Sequence, residues 1–109
     1  MNLARETLDI LKECGKTIQD ARWVGYYDGD REKRMSVDEF FVAAMRTNYD
    51  NGYGSPEIDT SLVVVGDDWW LERAEYDGSE WWEFKTMPKK DEYEVDDERH
   101  NLYQYRCHR

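Results

Sequence analysis

The chain has 109 residues, 25 of them acidic against 15 basic, and a formal charge of −10 at pH 7. That length holds one compact domain and leaves no room for a second of ordinary size. Hydrophobic residues at 39% and aromatic residues at 15% are enough to fill a core and too many for composition-driven disorder. So acidic a balance argues against gripping duplex nucleic acid by its phosphates, which requires clustered Lys and Arg.

In chain order, Leu3, Ala4, Leu8 and Leu11 recur at helical spacing, with Asn2 as N-cap and Gly15 as stop, and predict an amphipathic helix over 3–14. Ala21 to Tyr27 reads as a strand ending at Asp28-Gly29, and a short basic stretch from Arg31 to Met35 returns from it. Ser36 with Glu39 opens a second helix whose apolar side is Phe40, Phe41, Ala43, Ala44 and Met45. Asn48 to Pro56 is a loop by composition. The run Leu62 to Val65 suits a strand covered on both faces or lying deep in a sheet. Trp69–Tyr76 and Glu80–Thr86 flank Asp77-Gly78, the strongest hairpin signal in the chain, so these three segments form an antiparallel meander. The expected fold is α+β, two helices on an antiparallel sheet of four or five strands. Residues 1–88 make one domain and 89–109 an acidic, partly ordered C-terminal segment.

Alternation along the hairpin splits the tryptophan doublets. Trp69, Leu71, Trp82 and Phe84 share one face, and Trp70, Tyr76 and Trp81 the other. If Asp77-Gly78 is a two-residue loop, Tyr76 pairs with Ser79 and Leu71 lies opposite Phe84. The first face is core. The second mixes Trp70 and Trp81 with Glu72, Glu83 and Lys85, which a closed core would not tolerate cheaply. Two readings stay open for it: indoles covered by the C-terminal segment or by aliphatic stems, or an exposed aromatic patch for a protein partner.

Motifs that imitate chemistry fall away on inspection. Gly15-Lys16-Thr17 lacks the earlier glycine of a phosphate loop, since Ile10 stands there, and it follows a helix. Asp28, Asp30, Glu32, Ser36 and Glu39 match calcium-loop ligand positions. However, Lys33 replaces the required glycine, and Arg31, Lys33 and Arg34 surround the site with positive charge. His100, Cys107 and His108, with Cys14 far away, supply no zinc spacing, and the two cysteines suit free thiols of a reducing cytosol. No catalytic residue, metal ligand or cofactor is expected, and no secretory signal or membrane span.

The stretch Val65-Gly-Asp-Asp-Trp-Trp-Leu-Glu-Arg, with Glu75-Tyr-Asp-Gly-Ser-Glu-Trp-Trp-Glu-Phe-Lys-Thr, resembles a block in small proteins of bacterial phages and integrative elements. The likeness covers mainly residues 62–88 and implies a mobile-element origin and a bacterial cytoplasm. It transfers no activity and no site residue.

Residues 1–60 carry a net −4 and residues 61–109 a net −6, and six of the eight residues from Asp91 to Glu98 are acidic. These features point to a non-enzymatic acidic interaction protein. The expected role is inhibition of a host nucleic-acid-handling or defence complex, of anti-CRISPR or anti-restriction type, by mimicry of nucleic acid. The expected partner is a host protein with a basic groove. The contact residues would be Trp70, Trp81, Glu72, Glu83, Asp91, Glu92, Glu94, Asp96, Asp97 and Glu98. The alternative is a single-stranded nucleic-acid-binding module that stacks bases on exposed tryptophans.

Overall fold

The structure, a computed structural model, describes residues 1–52, 54–95 and Tyr103. Helices α1 (Leu3–Glu13) and α2 (Val37–Met45) accompany strands β1 (Trp23–Asp28), β2 (Arg31–Met35), β3 (Val63–Val65), β4 (Trp69–Tyr76) and β5 (Ser79–Thr86). The strands form one antiparallel sheet in the order β2-β1-β3-β4-β5. The α+β arrangement and the C-terminal meander are therefore as the sequence predicts. β3 takes the central position, which accounts for its unbroken apolar run.

The helix ends follow local chemistry. The Asn2 side chain accepts from the Arg5 amide at 3.1 Å. α1 stops in a Schellman turn, with Lys16 N–H donating to the Leu11 carbonyl and Gly15 N–H to that of Lys12. Ser36 Oγ caps α2 by accepting from the Glu39 amide at 3.1 Å. The stretch Asp28–Glu39, with its calcium-like spacing, is thus a hairpin arm running into a capped helix. The expected helix faces need correction, however. On α1 the buried row is Leu3, Thr7 and Leu11, whereas Leu8 is 38% exposed. Thr7 tolerates burial because its hydroxyl donates to the Leu3 carbonyl at 2.7 Å and accepts from the Trp82 indole at 2.9 Å. On α2 only Phe40 and Ala44 are buried, and Ala43 and Met45 face outward because they lie off the i, i+4 row.

Both helices cover the same face of the sheet. Register places Met35, Val24, Val64, Leu71 and Phe84 in one cross-sheet row, and Val24, Val64 and Leu71 are fully buried there beside Leu11, Phe40 and Trp82. Trp69 stacks on Phe84 with ring centroids 5.6 Å apart. At the β4–β5 turn Asp77 (φ 51°) and Gly78 (φ 85°) both take positive angles, and Tyr76 pairs with Ser79, so the hairpin is the two-residue type I′.

Candidate functional site

Among the described residues no helix lies on the opposite face of the sheet. Row by row it presents Trp23, Val65, Trp70 and Lys85; then Arg34, Gly25, Val63, Glu72 and Glu83; then Glu32 and Tyr27 on one side, with Ala74 and Trp81 on the other. Trp81 is 39% exposed, and Trp70 is half-buried with its indole N–H donating to Glu72 at 3.1 Å. Neither ring is enclosed. Glu72 and Glu83 stand directly opposite each other, a repulsive pairing that Lys85 offsets by placing Nζ 3.8 Å from one carboxylate and 3.5 Å from the other.

This face brings together Trp70, Trp81, Glu72 and Glu83, but it does not gather the remaining expected contact residues. Asp91, Glu92 and Glu94 are exposed past the end of β5. Asp91 and Glu92 form a short 3-10 turn, and Glu92 and Tyr93 border a recess with Cys14, Lys16 and Phe84, on the helix-covered side. Asp96, Asp97 and Glu98 lie outside the described residues, as do His100, Cys107 and His108. Several acids are also bridged within the chain. Arg22 donates to Asp67 at 2.9 Å and holds that carboxyl below its usual range, and Lys89 lies 4.0 Å from Glu92. A phosphate mimic needs unpaired carboxylates, so the bridged ones count for less than their number suggests.

Sequence reasoning missed half of the open face. Trp23, Tyr27 and Arg34 belong to it, and the signal was available: Trp23, Gly25 and Tyr27 alternate along a strand whose Val24 is core. The Arg34 guanidinium lies over the Trp23 ring, 4.3 Å from its centroid.

It also missed a charged cluster beneath the helices. Arg73, only 2% exposed in its side chain, donates to Glu6 and Glu80 at 3.0 Å each and to the Tyr49 hydroxyl at 3.3 Å, and its guanidinium stacks over Trp82. The Tyr49 hydroxyl donates in turn to Glu6. Glu80 accepts from the amides of Glu57 and Ile58, while its own amide donates to Asn51. Burial first, then the hydrogen bond to Glu6, pushes the Tyr49 phenol up to about 12. This cluster fastens the 49–58 loop and α1 to the hairpin. Its carboxylates are occupied, so it reads as structural. Among the described residues no group of three or more His, Cys, Asp and Glu side chains could hold a metal ion, and no helix is long and apolar enough to cross a membrane.

Compared with known proteins, the chain matches no protein-family model, no curated sequence and no solved structure.

Proposed function

We propose that this chain is a non-enzymatic interaction protein that docks a partner protein on the open face of its sheet, with Trp70 and Trp81 as apolar anchors. The observation that carries the reading is the one-sided layering. Two helices cover one face, and the other keeps Trp23, Tyr27, Trp70 and Trp81 in reach of solvent. Large aromatics in a polar rim are what protein-binding hot spots are made of. The charge of −10 selects a basic partner and makes association fall with salt. Together with the mobile-element likeness of the tryptophan block, this favours an inhibitor of a host nucleic-acid-handling or defence complex. A strand of nucleic acid fits less well, since Arg34 and Lys85 face Glu32, Glu72 and Glu83 on this surface and form no basic track.

The test is affinity capture from bacterial lysate at low salt, comparing the wild type with the Trp70→Ala/Trp81→Ala double variant. The wild type should retain a nucleic-acid-handling protein that the double variant loses. Equal retention by the two, or none by either, would reject the reading.

A further inference from the structure

A strand at the border of a sheet leaves the N–H and C=O of every second residue without a neighbour. The order β2-β1-β3-β4-β5 has two such borders, and they differ. β2 is five residues long, and Arg31, Glu32, Lys33 and Arg34 place a charge on four of them, which guards an exposed edge against pairing. β5 runs for eight residues in unbroken register with β4, without proline or bulge, and its middle is Trp81, Trp82, Glu83 and Phe84. We infer that the β5 edge takes up an extended, Lys- or Arg-bearing segment of a partner protein as a sixth strand. The inference rests on the reading of this chain as a protein-interaction module and adds the manner of binding.

Hairpin parity fixes which peptide groups point outward. Tyr76 and Ser79 close a type I′ turn, so Ser79, Trp81, Glu83 and Lys85 exchange their bonds with β4. The peptide groups of Glu80, Trp82 and Phe84 therefore face away from the sheet. Two bonds agree with this assignment. Glu80 N–H donates outward to Asn51 Oδ1 at 2.8 Å, and Met87 N–H donates back to the Asp68 carbonyl at 2.9 Å. Asn51 thus satisfies the first outward donor. Among the described residues nothing accepts from the next two, the N–H groups of Trp82 and Phe84. Trp82 is only 3% exposed, so its unmet donor is one that an added strand relieves.

The groove beside this edge selects the occupant. It has a volume of about 260 Å³ and lies between β5 and α1, with Ile10, Trp81 and Trp82 as its apolar lining. Its carboxylates are Glu6, Asp9, Glu13 and Glu80 and its one lining cation is Arg5, so the border stays acidic even though Arg73 bridges Glu6 and Glu80. Asp9 and Glu13 stand one helical turn apart on α1. Side chains of an added strand alternate, so cationic ones on the helix side meet Asp9 and Glu13 while their neighbours lie against Trp81. A second copy fits less well. Pairing β5 with β5 joins two molecules of charge −10 and sets α1, with Asp9 and Glu13, beside its own copy.

The experiment adds an acetylated, amidated octapeptide of alternating Lys and Thr to the nitrogen-15-labelled chain at low ionic strength and follows amide exchange by NMR. In the free chain the Trp82 and Phe84 amides should exchange at least about tenfold faster than those of Trp81 and Glu83, and saturating peptide should slow them about tenfold. Peptides N-methylated at every Lys or at every Thr separate a strand from mere charge. One should bind and the other should not, because only alternate amides face β5. Asp9→Asn/Glu13→Gln should weaken binding about three- to tenfold. Asp28→Asn/Asp30→Asn makes the same charge change at the other border of the sheet and should alter affinity less than about twofold. No saturable binding, equal binding of the two methylated peptides, or Trp82 and Phe84 amides as protected as their neighbours before peptide is added would each overturn the inference. A dimer in sedimentation with those amides protected would assign the edge to a second copy and overturn it as well. Capture from lysate keeps the two readings apart: a retained partner without peptide binding removes the edge and leaves the open face, and peptide binding without a retained partner removes the open face and leaves the edge.

Discussion

Each face of the β4–β5 ribbon holds one cation between two glutamates, and the contrast between the two trios is instructive. On the covered face Arg73 bonds Glu6 and Glu80 at 3.0 Å each, with side chains 2%, 11% and 4% exposed. On the open face Lys85 sits 3.8 and 3.5 Å from Glu72 and Glu83, all of them more than 40% exposed. The composition is nearly the same, but water screens the second trio and not the first. The tryptophans divide likewise, Trp69 and Trp82 inward, Trp70 and Trp81 outward. Strand parity alone thus assigns identical side chains either to holding the fold or to meeting something outside it.

The sharpest way to break this comparison is to remove each cation. Arg73→Met strands two buried carboxylates and should cost about 3–5 kcal/mol at neutral pH, measured by urea unfolding. Lys85→Met should cost less than about 1 kcal/mol. Equal costs would mean that burial does not separate the trios.

The adjacent indoles provide a second contrast. Trp82 is 3% exposed, bonds Thr7 through its indole N–H and lies under Arg73, so Trp82→Ala should cost about 3–5 kcal/mol. Trp81→Ala, one residue earlier and 39% exposed, should cost less than about 1 kcal/mol. A smaller effect is expected at the turn that fixes which indole points where. Gly78 has φ +85°, and a Cβ there would lie 3.2 Å from the Gly52 carbonyl oxygen, so Gly78→Val should cost about 1–2 kcal/mol. An unchanged melting temperature would contradict the type I′ turn.

What the sequence disclosed follows the same division. Asp77-Gly78 and the alternation around it were enough to set the hairpin register and the two indole faces, because both are local properties of the chain. Helix periodicity placed α1 but chose Leu8 over Thr7 for its buried side. A hydroxyl satisfied by its own helix and by an indole 75 positions away leaves no trace in a hydrophobicity pattern. Tyr49 was hidden by its setting, a buried ring inside a segment whose Asn, Asp, Gly and Pro read as loop. Arg73 could be flagged by parity, since it alternates with Leu71 on the covered side. Its partner Glu6, however, is 67 residues distant and becomes visible only when α1 lies across the hairpin. Trp23, Tyr27 and Arg34 were legible in principle, but the calcium-like spacing of the neighbouring acids drew the reading away from strand parity.

Two tyrosines carry the comparison to high pH. Tyr27, on the open face and 54% exposed, is raised by its hydrogen bond to Glu32, whereas Tyr49, 5% exposed beneath the helices, is pushed up to about 12 chiefly by burial. A phenol whose folded value exceeds its unfolded value of 10.0 favours the protonated form in the fold. The stability it lends is therefore complete below pH 10 and drains away as the pH rises toward about 12. Ultraviolet titration of the phenolates should show Tyr49 ionising near pH 12, with the urea midpoint declining over the interval from pH 10. Tyr49→Phe should abolish that step and flatten the alkaline decline, whereas Tyr27→Phe should leave the step in place. If Tyr49 instead ionised at its ordinary value of 10.0, water would have to reach its hydroxyl and with it Arg73, and the two trios would no longer differ by burial.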